Sequence, residues 1–169
     1  MKKRPAKPQG IRVPVHVWTD GSCSAKDRVG GWAFIAAWHE TEVVGKGGLR
    51  DTTISVMELT AINEALKRVK PVPGVALVVH SDSQYAVNCL TTWGRKWRVR
   101  GWTTATGEEV KNKELIAETL GRIDTYLHRS RATVTIKWVK GHAGNANNER
   151  ADVYAGDERR RLLSNPDEV

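Results

Sequence analysis

Residues Val75-Ala76-Leu77-Val78-Val79-His80 constrain the fold more than any other stretch. They form a continuous apolar run, the pattern of a central strand buried on both faces, which occurs in sheets with parallel neighbours and helices alongside. Pro71 and Pro73 precede the run and Ser81-Asp82-Ser83 follows it at once. A carboxylate therefore stands at the strand's carboxyl end. A second stretch repeats the arrangement. Val15 and Val17 alternate with His16 and Trp18, and the strand then reaches Asp20, where Gly21 and Ser22 are expected to break it.

The remaining segments build around these two strands. The first strand is expected over Ile11–Asp20, with Pro14 near its start because proline cannot donate to a ladder. Gly30–Glu40 and Val43–Leu49 read as two more strands. Gly45, Gly47 and Gly48 weaken the second of them and suggest an edge or a bulge. Short connections make the three an antiparallel meander. Val56–Val69 then carries Leu59, Ile62, Leu66 and Val69 at helical spacing, with Ser55 and Glu58 fitting a capping box. Further helices are expected over Ser83–Thr92, Asn112–His128 and Asn148–Leu163, with a strand over Thr133–Val139. The order implies an α/β domain with a five-stranded mixed sheet, three antiparallel strands then two parallel ones, flanked by helices. Residues 1–10 read as a disordered basic arm, 11–163 as one domain and 164–169 as a frayed tail.

Composition narrows the partners. A chain of 169 residues with net charge +8 favours a polyanion, nucleic acid ahead of an anionic membrane surface. Lys2, Lys3, Arg4 and Lys7 supply part of the excess, and Arg95, Lys96, Arg98 and Arg100 form a second cluster. Cys23 and Cys89 make no C-x-x-C pair, so a structural zinc site is not expected, and they suit a reducing compartment. No apolar run suits a membrane span, and the basic N-terminus lacks the apolar region of a secretory signal. The expectation is a cytoplasmic protein.

Four acids stand apart from the solvated charges. Asp20 and Asp82 emerge at one sheet edge if their strands are parallel neighbours, and ligands bind outside the carboxyl ends of such strands. Glu58 lies in the first turn of its helix and Asp152 in the first turns of the last one. Converging carboxylates repel unless cations neutralise them, and hard divalent ions such as Mg²⁺ or Mn²⁺ are the natural counter-charge. With a basic surface, this points to two-metal phosphodiester hydrolysis. Each residue also has a plainer reading. Glu58 can close the capping box, Asp82 can cap the following helix, Asp152 and Glu149 can line an exposed helix face, and His142 can be a loop residue. The joint pattern favours the site.

The motifs Thr19-Asp20-Gly21-Ser22-Cys23, Met57-Glu58-Leu59, Ser81-Asp82-Ser83-Gln84-Tyr85, and Val139-Lys140-Gly141-His142-Ala143-Gly144 with Asn148-Glu149-Arg150-Ala151-Asp152 resemble those of type 1 ribonuclease H. They match the bacterial form in order and spacing over about residues 13 to 160. The resemblance implies a ribonuclease H-like fold, a monomer, and hydrolysis of the RNA strand of RNA–DNA hybrids with two Mg²⁺ ions, Mn²⁺ being a possible substitute. The products carry 5′-phosphate and 3′-hydroxyl ends, and the task is removal of RNA primers and R-loops. It implies that Asp20, Glu58, Asp82 and Asp152 hold the metals, with Asp20 bridging. His142 sits on a mobile loop and assists proton transfer or product release, and Glu149 supports the metal site from outside. Trp93, Trp97 and Trp102, interleaved with Arg95, Lys96, Arg98 and Arg100, resemble the basic protrusion that grips the DNA strand. Thr53 matches a DNA-phosphate position, and Cys23 and Gln84 match positions that touch the hybrid near the cut, in part through 2′-hydroxyls.

Two segments depart from the family pattern. Lys26-Asp27-Arg28-Val29-Gly30-Gly31 replaces an Asn-Pro-Gly-Pro-Gly-Gly loop, and Ile54-Ser55-Val56 replaces Asn-Asn-Arg. The metal site is expected intact and the substrate grip altered. Asp51 falls near the expected phosphate site, with Arg50 beside it as the compensating charge. Two rivals follow: a non-catalytic nucleic-acid-binding module on the same fold, and a relative that cuts DNA.

Overall fold

The computed structural model describes residues 13–168; the expected basic arm and Ile11 lie outside the described residues. Five strands form one sheet: β1 (Val13–Ser24), β2 (Val29–Trp38), β3 (Thr41–Arg50), β4 (Val75–Ser81) and β5 (Thr133–Trp138). Their spatial order is β3-β2-β1-β4-β5. β1 pairs antiparallel with β2 and parallel with β4, β2 pairs antiparallel with β3, and β4 runs parallel to β5. This is the mixed sheet expected from the sequence.

The helices are α1 (Ile54–Arg68), α2 (Gln84–Asn88), α3 (Gly94–Val99), α4 (Lys113–Arg129) and α5 (Ala146–Ser164). A π turn at Cys89–Trp93 joins α2 to α3. Gly94 fits there because a Cβ would collide with the Cys89 carbonyl and with the side chains of Leu120 and Ile116. One face of the sheet supplies Val15, Val17, Phe34, Leu77 and Val79 to a core shared with Leu59, Ile62, Leu120 and Ile123 of α1 and α4. Burial of these side chains is the main stabilising term.

Several expectations need correction. β1 does not stop at Asp20 but runs on to Ser24, because β2 continues to pair with it as far as Val29. β4 is central in pairing yet buried on one face, with Leu77, Val79 and Ser81 inside and Val78 and His80 half-exposed. α5 lies over β1, β2 and β3 instead, so the other face of β4 is left open. The glycines of β3 mark an edge strand with unbroken register, not a bulge. Gly45 lies under the Phe34 ring and Gly47 under Trp32, where a Cβ would clash. No capping box forms: Thr53 caps α1, its Oγ1 accepting from Val56 N (3.3 Å), and Ser55 lies inside the helix. Asn165–Glu168, expected to fray, are held at the end of β3, where Arg50 donates to the carbonyls of Leu162 (2.9 Å), Asn165 (2.7 Å) and Glu168 (3.1 Å).

Candidate active site

The parallel ladder between β1 and β4 ends at Thr19 and Ser81. Asp20 and Asp82 are the next residues of their chains, so both carboxylates leave the sheet where the ladder stops. Ser83 Oγ accepts from Ala86 N (3.1 Å) and caps α2, which frees the Asp82 carboxylate from that duty. α1 crosses β1 at closest approach here. A Cβ on Gly21 would stand 2.6 Å from Glu58 N and 2.8 Å from the Met57 carbonyl carbon, so only glycine lets the helix bring Glu58 beside Asp20. The loop before α5 presses on the other side, since a Cβ on Gly141 would lie 2.6 Å from Asp82 Oδ2. Asn145 caps α5 through Asn148 N (3.1 Å), and the helix then delivers Asp152.

One carboxylate oxygen from each of Asp20, Glu58 and Asp82 lies within 4.8 Å of the others. Asp20 and Glu58 are buried. Burial, followed by the neighbouring Asp82 charge, pushes the Asp20 carboxyl up to about 7, although Gly21 N–H donates to its Oδ1 (2.8 Å). Burial and the Asp20 charge drive Glu58 up to about 10. Asp82 is raised by burial as well, with Asp152 adding to the effect and Asn148 and His142 opposing it. These residues repel one another when all are ionised. Glu58 Oε2 is buried with no hydrogen-bond partner. A buried carboxylate oxygen without a donor, among other carboxylates, fits a hard divalent cation, which takes oxygen ligands and removes the repulsion. A cavity of about 470 Å³, lined in part by Val15, Val69 and Val75, lies at the opposite end of β1, away from these acids.

Asp152 and His142 stand near this cluster but outside the 4.8 Å group, and the charges of both act on Asp82. His142 is exposed with a left-handed backbone (φ 51°). Glu149 is exposed one turn before Asp152. Asn148 was not singled out from sequence. It is buried, with Nδ2 unpartnered, and it favours the charged form of Asp82. Its place one turn before Asp152 was the available signal.

The other expected site residues spread along the same edge. Cys23 is half-buried, with Sγ against the Thr52 carbonyl (3.8 Å), and Thr53 is exposed at the start of α1. Gln84 is exposed in α2. Trp93, Lys96, Trp97, Arg100 and Ala105 line a cavity of about 310 Å³, and the rings of Trp93 and Trp97 lie 5.9 Å apart. Trp102 is half-buried, its backbone N–H donating to the Trp97 carbonyl (2.7 Å). Arg95 and Arg98 are both committed to Asp124 (3.0 and 2.9 Å). Lys96 and Arg100 are exposed with no acidic partner among the described residues. The charge that answers Asp51 is Arg28, at 3.3 Å, and not Arg50, which is spent on the C-terminal carbonyls.

The family model described as RNase H matches residues 12–160. The chain belongs to the RNase H family. A ribonuclease H of Neisseria meningitidis serogroup C is 40% identical over 145 residues, covering 85% of this chain and 93% of that protein. A ribonuclease H of Bordetella pertussis is 40% identical over 144 residues, covering 83% and 86%. Among solved structures, LC9-RNase H1, described as a type 1 RNase H with the type 2 active-site motif, superposes with TM-score 0.74 at 25% identity, over 88% of this chain and 73% of that one. The resemblance read from the motifs and the fold expected from them therefore hold, and the chain is a metal-dependent endoribonuclease of the RNase H family.

Proposed function

We propose that this RNase H cleaves the RNA strand of RNA–DNA hybrids endonucleolytically by two-metal-ion catalysis, leaving 5′-phosphate and 3′-hydroxyl ends. The observation that supports this most is the convergence of Asp20, Glu58 and Asp82 within 4.8 Å, with Glu58 Oε2 buried and unpartnered. Asp20, Glu58, Asp82 and Asp152 would hold the ions, Asp20 taking the shared position because it is flanked by both Glu58 and Asp82. Mg²⁺ is the working ion in this reading and Mn²⁺ a substitute. The chemistry supplied by the ions when bound is a water acidified to a nucleophile and charge neutralised at the leaving oxygen. The water oxygen bonds to phosphorus as the bond to the 3′-oxygen breaks, which yields the stated ends. His142, exposed beside Asp82, carries a proton to or from the reacting oxygens on its ring, and Glu149 steadies the site from outside.

Around this centre, Cys23 and Gln84 contact the hybrid near the cut, and Thr53 binds a phosphate of the DNA strand. Trp93, Trp97 and Trp102 pack on sugars or bases while Lys96 and Arg100 bind phosphates of the DNA strand. Arg98 contributes less than its sequence position suggests, because Asp124 holds it. The cellular task in this reading is removal of RNA primers and R-loops by a cytoplasmic monomer. No helix among the described residues is long and apolar enough to cross a membrane.

The test incubates the protein with a labelled RNA–DNA hybrid, an RNA duplex and a DNA duplex, with Mg²⁺ or with EDTA. Cleavage confined to the RNA of the hybrid and abolished by EDTA is expected. Equal cleavage of the RNA duplex, or activity that survives EDTA, would contradict the reading. Asp20→Asn should lose cleavage and keep hybrid binding, which electrophoretic mobility shift measures directly.

A further inference from the structure

One arginine breaks the pattern of the others. Arg160 and Arg161 on α5 pair with Asp157 (2.6 Å) and Glu158 (2.9 Å). Arg28, Arg95, Arg98, Arg122 and Arg150 likewise have carboxylate partners, and Arg68, Arg100, Arg129 and Arg131 are exposed to water. Arg159 is half-buried, its Nε is sealed from solvent without a hydrogen-bond partner, and no acid among the described residues pairs with it. A guanidinium partly removed from water and left unpaired is costly. Its planar fork suits a phosphate or carboxylate bound from outside.

The position of Arg159 indicates which anion. It follows Asp152 by seven residues, so the two lie on one face of α5, about 10 Å apart along the axis. Cys23 follows Asp20 by three residues of strand, also about 10 Å. The two offsets match because α5 lies over the end of β1 and β2. A Cβ on Gly31 would stand 2.8 Å from Arg159 N, Gly31 pairs with Ser22, and its neighbour Gly30 pairs with Cys23. Burial raises the Cys23 thiol, and the Arg159 and Arg28 charges, both within electrostatic reach, oppose that rise. Arg28 is neutralised by Asp51 (3.3 Å), while Arg159 is not. On the α1 side of the same sheet end, Thr52 has a buried Oγ1 that also lacks a partner. A duplex seated on the metal edge passes this spot within about three nucleotide steps of the cut.

We propose that Arg159 is a substrate-binding residue that takes a backbone phosphate of the nucleic acid beside Cys23. The proposal rests on the hybrid-cleaving reading above and adds a contact on α5 to it. The opposing possibility is that the Arg159 stem only covers Gly31.

Wild type, Arg159→Met and Arg159→Lys are compared by fluorescence anisotropy with a labelled hybrid in EDTA across about 50–300 mM salt, by steady-state cleavage in Mg²⁺, and by melting. Arg159→Met should weaken hybrid binding about 5- to 10-fold and lower the slope of log K against log salt by about 0.7–0.9, the value for one phosphate. KM should rise by a similar factor with kcat within about twofold, since a contact made equally in ground and transition states acts on KM. Arg159→Lys should keep the salt slope, and the methionine variant should melt no lower than wild type. Unchanged affinity and slope in Arg159→Met would overturn the proposal, as would a lower melting temperature with binding intact, which marks a covering role. If wild type binds the hybrid with this salt dependence but does not cleave it, the catalytic reading fails and Arg159 stands.

Discussion

Asp20 carries opposite demands. It sits in the middle of β1, buried, with one N–H donor from Gly21 and acids on both sides. Without metal its carboxyl is raised from the usual carboxylate range to about 7. A group whose folded pKa is raised holds its proton in the folded state while the unfolded chain has released it. Stability is therefore greatest below the unfolded value, falls as pH rises through the interval up to about 7, and stays low above it. Asp20→Asn removes that penalty. In EDTA at pH 8 the variant should be more stable than wild type by about 1–3 kcal/mol, and near pH 4 the two should converge. Urea melts at both pH values decide it; equal stability at pH 8 would mean that the acids do not strain the fold. The identity of this residue was legible in the sequence, because Asp before Gly-Ser and a second Asp after an apolar strand are local patterns. Its environment was not. That Gly21 must lack a side chain for Glu58 to arrive depends on a helix more than thirty residues downstream, and no local pattern encodes that. The cap of α1 is hidden for a related reason, since Ser55 fits a capping box by spacing while the helix begins at Ile54. Thr53 caps the helix instead, and only the tertiary placement of its first turn shows which hydroxyl does so.

Elements were easier to read than their contacts. Period and punctuation located all five strands and the long helices, since those depend on neighbours two to four residues away. The π turn at Cys89–Trp93 left no periodic signal, and the extension of β1 to Ser24 depends on β2 for its partner. The glycines of β3 looked like weakness but are seats for the rings of Phe34 and Trp32. Gly31 has the same character at the contact between β2 and α5. A Cβ there would run into the Ala155 carbonyl and stand 2.8 Å from Arg159 N, both backbone atoms that cannot step aside without moving the helix. Gly31→Ala should therefore destabilise the protein by about 1–3 kcal/mol. It should also lower hybrid cleavage, because α5 carries Asp152. Chemical denaturation alongside a cleavage assay reads both effects. A variant with wild-type stability would show that α5 does not rest on β2 as closely as the structure has it.

At the scale of the molecule, the site is a product of the whole topology. Asp20, Glu58 and Asp82 come from β1, α1 and the end of β4, with Asp152 of α5 near them, and the three meet only because the sheet changes from antiparallel to parallel pairing at β1. Folding this chain without metal forces like charges together, while binding a divalent ion relieves them and releases protons from Asp20 and Glu58. Metal should therefore stabilise the fold, and more strongly as pH rises. At a concentration about 100 times the dissociation constant the gain is about 2.7 kcal/mol, which for a chain of this length is a rise of about 5–10 °C in melting temperature. Melting curves in EDTA and in saturating Mg²⁺ at pH 5.5 and pH 8.5 test this. The difference between the two curves should be small at the lower pH, where both raised carboxyls keep their protons and compete with the ion, and larger at the higher pH, where Asp20 has released its proton. A Mg²⁺ effect of equal size at both pH values would mean that the ion binds groups already ionised, and the buried cluster of Asp20 and Glu58 would lose its standing as the place where it is held.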